Sequence, residues 1–356
     1  MSGPILQLLL SPDPHHVLQG LELLNAVDEP DYALSLLDGT ISKRGRLVLN
    51  GPLRKAKMSA LVAMDVLSSA PENHPQVTQL RAELRRVTVH DLTQAMVPIL
   101  LRAANALQLE HLELISPKVP LPSPMPHLKS LGVHDGFFKT LDELNLPQNL
   151  RRLALSSSYI RDLKGCPRDL KQLVLGQQFF LTTLEGAPGG LQQLRLRACY
   201  AVKEITALSS CTTLTHLSLN NSRITGIEPI RDHPSLQELI VGPIPGPILD
   251  LAMPRLSTLI LIGAHEDDLS FLQGCPTLHK LELRQGEFQS LHGIPPGLTT
   301  LDIRRIEWKP AFFSTICQLK ELRRIDGHAP RIQAALDAAR VDSETRTRLQ
   351  GLLPNR

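Results

Sequence analysis

One spaced pattern decides what this chain can fold into. Leu-x-x-Leu-x-Leu starts at Leu109 (LEHLEL) and returns at Leu128, Leu150, Leu170, Leu191, Leu214, Leu236, Leu256, Leu278 and Leu298, with a degenerate copy at Leu322 (LRRIDG). The intervals run from 19 to 24 residues, and of the 33 slots they define 28 hold Leu and four hold Val or Ile. A recurring period of this size marks a stacked repeat architecture. Within each copy, x-Leu-x-Leu-x alternation puts two leucines on one face of a strand and the residues between them on the other. A single strand cannot bury that face. Eleven stacked strands can, and each leucine then contributes roughly 1.5–3 kcal/mol on leaving water.

The prolines obey the same frame. Pro126, Pro147, Pro167, Pro188, Pro234, Pro254, Pro276 and Pro296 each precede a first Leu by two or three residues. A fixed φ and a missing N–H suit the turn that feeds a strand. Between strands, pairs such as Ile160 and Leu163, Ile224 and Ile227, or Leu269 and Leu272 would close the core from behind. These arms are too short for long helices, so irregular or 3₁₀ backbone is expected.

With these residues in place the chain resembles the leucine-rich repeat family, in its short intracellular class of about 21–22 residues per repeat. The resemblance covers about residues 109–328. It implies an α/β solenoid, a horseshoe with a curved parallel sheet on the concave face, and protein binding as the usual role. The slot three residues after each strand's last Leu, where the family usually carries Asn, holds Ser158, Gln178, Cys199 and Ser222, but Pro117, Ile244 and Ala264 elsewhere. The run GPIPGP at 242–247 stands where a turn belongs.

Residues 1–108 do not show the repeat and read as a helical flank. Helices are expected near 6–10, 14–26, 31–37, 57–69, 76–86 and 91–105, the last kinked or broken at Pro98, with a strand near 46–50. Residues 329–356 read as a helical C-terminal cap with helices at 332–339 and 343–352, the second capped by Asp342 or Ser343. Open ends of a solenoid need such covers.

Several functions fall away. The longest apolar run, 95–101, is far short of the roughly 20 residues of a membrane span, and the N-terminus is a poor secretory signal. The expected location is therefore the cytoplasm. Five cysteines without a Cys-x-x-Cys pair argue against a disulfide scaffold or a zinc module. Cys166, Cys211 and Cys275 sit just before a first Leu and read as small buried hydrophobes. His265-Glu266-Asp267-Asp268 lacks metal-ligand spacing, so no metal and no cofactor are expected. No nucleophile elbow, zinc-protease or phosphate-loop motif occurs, and no enzyme is expected.

The outward strand positions carry the functional reading. Ile240, Ile260 and Ile262 should form an exposed apolar spot, with Arg195 and Arg197 on one side and Lys280, Arg284 and Arg304 on the other, and His216 and Glu238 between. An apolar centre with an arginine-bearing rim is the composition of a protein-binding hot spot. The competing expectation is that the GPIPGP run or a flank folds over the isoleucines. The partner is thus a protein, of identity the sequence does not give, bound by a chain that is monomeric until then. Nucleic acid, bound by the concave Arg and Lys with the basic run Lys43, Arg44, Arg46, Arg54, Lys55 and Lys57, is the alternative, although a net charge of +3 gives it little support. Trp308 should pack behind the sheet near Phe312 and Phe313.

Overall fold

The structure is a computed structural model and describes residues 2–27, 32, 35–36, 39–41, 47–49, 59–69, 79–81, 84, 86–220, 223–243, 248, 250–339 and 341–352. The basic residues Lys43, Arg44, Arg46, Arg54, Lys55 and Lys57 and the centre of the GPIPGP segment lie outside these. The chain divides into two compact units, Met1–Ile160 with Lys164–Leu170, and Arg161–Leu163 with Lys171–Arg356.

The first unit opens with the helices Ser2–Leu9 and Pro14–Val27, a small antiparallel pair β1 (Gly39–Ile41) and β2 (Leu47–Leu49), and the helix Ser59–Ser69. Its parallel strands are β3 (Arg86–His90), β4 (His111–Ile115), β5 (Ser130–His134) and β6 (Arg152–Ser156), each bonded to its neighbour in sequence. β3 lies ahead of residue 109, the expected start of the repeats, and takes Arg86 from the end of the helix expected over 76–86. Leu84-Arg85-Arg86-Val87-Thr88-Val89 is a further copy of the pattern with valines in two slots, and Leu84, Val87 and Val89 are all buried. β-branched valine suits a strand as well as leucine does, so the copy is structurally complete though its letters differ. Only 79–81 are helical there among the described residues. The helix expected over 91–105 is shorter, a 3₁₀ turn at Gln94–Met96 followed by Val97–Ala106. Pro98 therefore stands in a first turn, where a missing N–H breaks nothing, and it does not kink the helix.

The second unit carries eight parallel strands in sequence order: β7 (Gln172–Gly176), β8 (Gln193–Arg197), β9 (His216–Asn220), β10 (Glu238–Val241), β11 (Thr258–Ile262), β13 (Lys280–Arg284), β15 (Thr300–Arg305) and β16 (Arg324–Asp326). Beside them β12 (His265–Glu266) and β14 (Glu287–Phe288) make a two-residue parallel pair. The alternation works as the pattern requires. Leu194 and Leu196 stand in register with Leu173 and Leu175 on one side and Leu217 and Leu219 on the other, and all six are buried. The turn prolines contribute their carbonyls: Pro188 O accepts the Leu191 N–H at 3.0 Å, just before β8.

The return arms contain 3₁₀ turns at Thr206–Ser210, Glu228–Ile230 and Ser270–Leu272. The unexpected exception is an α-helix, Ala311–Gln318, in the arm after β15. Trp308 is half-buried there, edge-on to the buried Phe312 at 5.9 Å between centroids. The unit ends in the helices Ala329–Ala338 and Ser343–Leu352, and Asp342 caps the second by accepting the Thr345 N–H at 2.7 Å. No described helix is long and apolar enough to cross a membrane.

The slot that the family fills with Asn still serves the backbone. Gln178 is buried and donates to the Gly176 carbonyl at 3.1 Å; Cys199 is buried with its thiol 3.5 Å from the carbonyls of Leu175 and Arg197. Just ahead of that slot the chain turns left-handed, at Gln177 (φ 51°) and Ala198 (φ 53°) in the second unit. That conformation is uncommon outside glycine and asparagine. It turns the chain off the sheet's outer face immediately after β7 and β8.

Candidate functional site

The outward side chains of the second unit form rows across the strands, because parallel neighbours hold them in register about 4.8 Å apart. The middle row runs Val174, Arg195, Ser218, Ile240, Ile260, Glu282, Asp302, Asp326. Arg197 lies two residues beyond Arg195, between Gly176 and Asn220.

Arg195 and Arg197 are exposed, and neither pairs with a carboxylate among the described residues. The adjoining strands supply none on this face, since β7 presents Gln172, Val174 and Gly176, and β9 presents His216, Ser218 and Asn220. His216 is half-buried, its Nδ1 sharing a hydrogen bond with the Thr215 hydroxyl at 2.9 Å. Glu238 and Ile240 on β10 are also half-buried.

The far side of the face differs from expectation. Ile260 and Ile262 are only 8% and 9% exposed, so the apolar spot reduces to Ile240. Ile260 is flanked in register by Ile240 and Glu282, and Ile262 stands against Arg284. Side chains of that bulk at strand spacing cover one another. The arginines beyond them are not free either. Arg284 Nε donates to Glu282 Oε1 at 2.5 Å, Arg304 grips Asp302 with its closest contact at 2.6 Å, and Arg324 Nε reaches Asp326 Oδ2 at 2.9 Å. Glu282 and Asp302 are buried. Burial pushes the Asp302 carboxyl up, but hydrogen bonds from Arg304 and the charges of Arg304 and Arg284 outweigh it and hold the group below its ordinary range. Lys280 is exposed at the near edge of β13. The expected rim is therefore open at β8 and at Lys280, while Arg284, Arg304 and Arg324 are neutralised within their own strands.

Sequence reading missed a second feature. Three residues past the last residue of β7 and of β8 stand Phe179 and Tyr200, projected outward after the left-handed turns. Phe179 is 56% exposed, its neighbour Phe180 47% and Tyr200 43%. The same position after β9 is Arg223, whose guanidinium lies 5.7 Å from the Tyr200 ring centroid. In the first unit this position holds Lys118, Phe137 and Tyr159. There Phe137 and Tyr159 stack at 6.0 Å, with the Lys118 ammonium 5.2 Å from the Phe137 centroid. A fixed-offset scan of the repeat would have found these rings, which lie outside the leucine pattern itself.

The cysteines offer no reactive thiol. All five are free, and burial raises each pKa, that of Cys166 to about 12. Among the described residues no three His, Cys, Asp or Glu side chains gather as a metal site would need.

This architecture is the leucine-rich repeat fold. The structure of the mouse RP105/MD-1 complex matches it with a TM-score of 0.53 at 17% identity, over 75% of this chain and 51% of that one, so the chain spans about half the length of its match. An internalin from Listeria monocytogenes aligns over 92% of this chain and 98% of its own, at 14% identity and a TM-score of 0.43. No sequence-family model matches the chain, and no curated protein matches it by sequence.

Proposed function

We propose that the chain is a non-enzymatic protein-binding module, an adaptor, inhibitor or regulatory subunit, that holds its partner on the outer face of β8–β10. Arg195 and Arg197 supply the charge, Ile240 a small apolar contact, and His216 and Glu238 the polar surround. The observation that carries this reading is the pair of exposed arginines left without a carboxylate on β8, whereas Arg284, Arg304 and Arg324 of the same face are each held by a carboxylate of their own strand. Exposed arginine fits an interface, where it is enriched over lysine and makes bidentate contacts to carboxylates. The mouse RP105 structure, a complex with MD-1, is consistent with a fold that serves protein partners. A reducing compartment such as the cytoplasm suits five free cysteines.

The test is affinity capture from the native host with the wild-type chain and with Arg195→Glu/Arg197→Glu as parallel baits, read by mass spectrometry. A partner enriched by the wild type and lost with the charge reversal supports the reading; retention of every partner by the variant overturns it. Nucleic acid remains the second reading because unpaired arginines beside exposed rings also suit single strands. It requires affinity that drops steeply with salt.

A further inference from the structure

The rings that follow β7 and β8 differ from the rest of the second unit in their exposure. Large apolar side chains in the second unit are otherwise buried or half-buried among the described residues, whereas Phe179, Phe180 and Tyr200 stand in solvent on consecutive repeats. They adjoin the arginine pair along the chain. Tyr200 follows Arg197 by three residues, at most about 10 Å of backbone, and Phe179 occupies the equivalent place after β7, the strand paired with β8.

We propose that Phe179 and Tyr200 are the apolar anchor of the arginine site, so that the partner is recognised through one short extended acidic segment. Its carboxylates fall at alternate positions, and an aromatic or proline side chain follows about three residues beyond. The inference rests on the protein-binding reading above and names the chemistry of that partner.

Three observations support it. An extended peptide repeats same-side residues about every 6.6 Å, the spacing of Arg195 and Arg197 on their own strand, so carboxylates two residues apart meet both guanidiniums. Arg223 adds a third positive charge against the Tyr200 ring, and β7, β8 and β9 carry no outward carboxylate, so the local field selects an acidic partner and repels a basic one. The exposed rings supply the rigid apolar contact that charge alone lacks, since aromatic side chains dominate interface hot spots. A single-stranded nucleic acid fits less well. One face of Tyr200 is already covered by Arg223, and the whole chain carries a net charge of only +3.

The full-length chain is panned against a random dodecapeptide display library. The strongest peptide is then titrated by fluorescence anisotropy against wild type, Arg195→Glu/Arg197→Glu, Phe179→Ser/Tyr200→Ser and the single Phe179→Ser. A labelled twelve-nucleotide uridine oligomer is titrated in parallel. Enriched peptides are expected to carry Asp or Glu at alternate positions with a ring or proline two to five residues away. Affinity should fall at least tenfold in both double variants and less in the single one, while the oligomer does not bind even at about 50 mM salt, where phosphate contacts are strong. Far-UV circular dichroism and a thermal melt check that each variant is folded, and the single substitution serves should the double one melt early.

Loss with the charge reversal but less than a twofold change with the ring variants overturns the anchor and leaves the protein-binding reading standing. No enrichment, or peptides indifferent to all variants, overturns both. Tight oligomer binding that depends on the arginines and rings together replaces the peptide with a nucleic acid.

Discussion

The arginines on β8 and those on β13, β15 and β16 share a sheet face and a charge but not a chemical role. On β8 the local sequence is Arg-Leu-Arg, and both guanidiniums reach solvent unpaired. On the other three strands it is Glu-Leu-Arg, Asp-Ile-Arg and Arg-Ile-Asp, and Arg284, Arg304 and Arg324 each close on the carboxylate two residues away. In a strand, residues i and i+2 lie on the same side, so the same-side neighbour decides whether a cation is available to a partner or spent within the strand. Net charge says nothing of this difference, and neither does a count of surface arginines.

The comparison can be broken by substitution. The largest effect is common to both regions: Leu217→Ala, under the centre of the face, should lower stability by about 2–5 kcal/mol through its cavity, seen as a lower denaturant midpoint. Next, Arg284→Gln leaves the buried Glu282 short of its donor and should cost about 1–3 kcal/mol. The same change at Arg195 should stay within about 0.5 kcal/mol, as exposed substitutions away from structural features do. Equal losses at the two sites would undo the distinction. Third, Arg195→Asp rewrites β8 in the style of β15, placing a carboxylate two residues from Arg197. Binding of an acidic peptide should fall at least tenfold, about 1.4 kcal/mol, with little change in the melting temperature.

The smallest effect concerns acid, and it acts on the core instead of the face. His233 is buried, with Nε2–H donating to the Cys211 carbonyl at 3.1 Å and Nδ1 accepting the Ser235 N–H at 3.4 Å. Burial lowers its pKa, although the Cys211 carbonyl favours the charged form. The folded chain thus binds this proton more weakly than the unfolded chain does. Its contribution to stability is complete above the ordinary imidazole value of about 6.5 and is lost as pH falls below it. A melting temperature that declines between pH 7 and 5, and declines less in His233→Asn, is the expected result. The paired carboxylates act in the same direction but lower, since Asp302 is depressed below the ordinary carboxylate range.

The core was legible from letters because leucine fills so many of its slots. It failed at β3, where Val87 and Val89 do leucine's work under another name. The arginine contrast was equally present in the sequence, as Arg-x-Arg against Glu-x-Arg and Asp-x-Arg, but emerges only when each outward residue is read with its same-side neighbour. The burial of Ile260 and Ile262 was not legible in one strand at all. Adjacent strands set Ile240 and Glu282 beside one and Arg284 beside the other, and Pro243 lies against Gly263, next to Ile262. The exposed rings were overlooked because scarcity suggested burial, yet five of the twelve aromatic residues stand in solvent.

The left-handed residues that end β7 and β8 carry a further implication. Gln177 and Ala198 hand the chain over at the same point of each repeat, so whatever side chain follows two residues later is displayed at a height fixed by the backbone and independent of its own identity. Recognition and folding are thereby written in separate columns of the same sequence. The display column can be exchanged, ring for cation or cation for acid, without touching a leucine. A duplicated repeat would lengthen the rank by one place, about 4.8 Å, and extend the reach of the surface by one residue of whatever it reads.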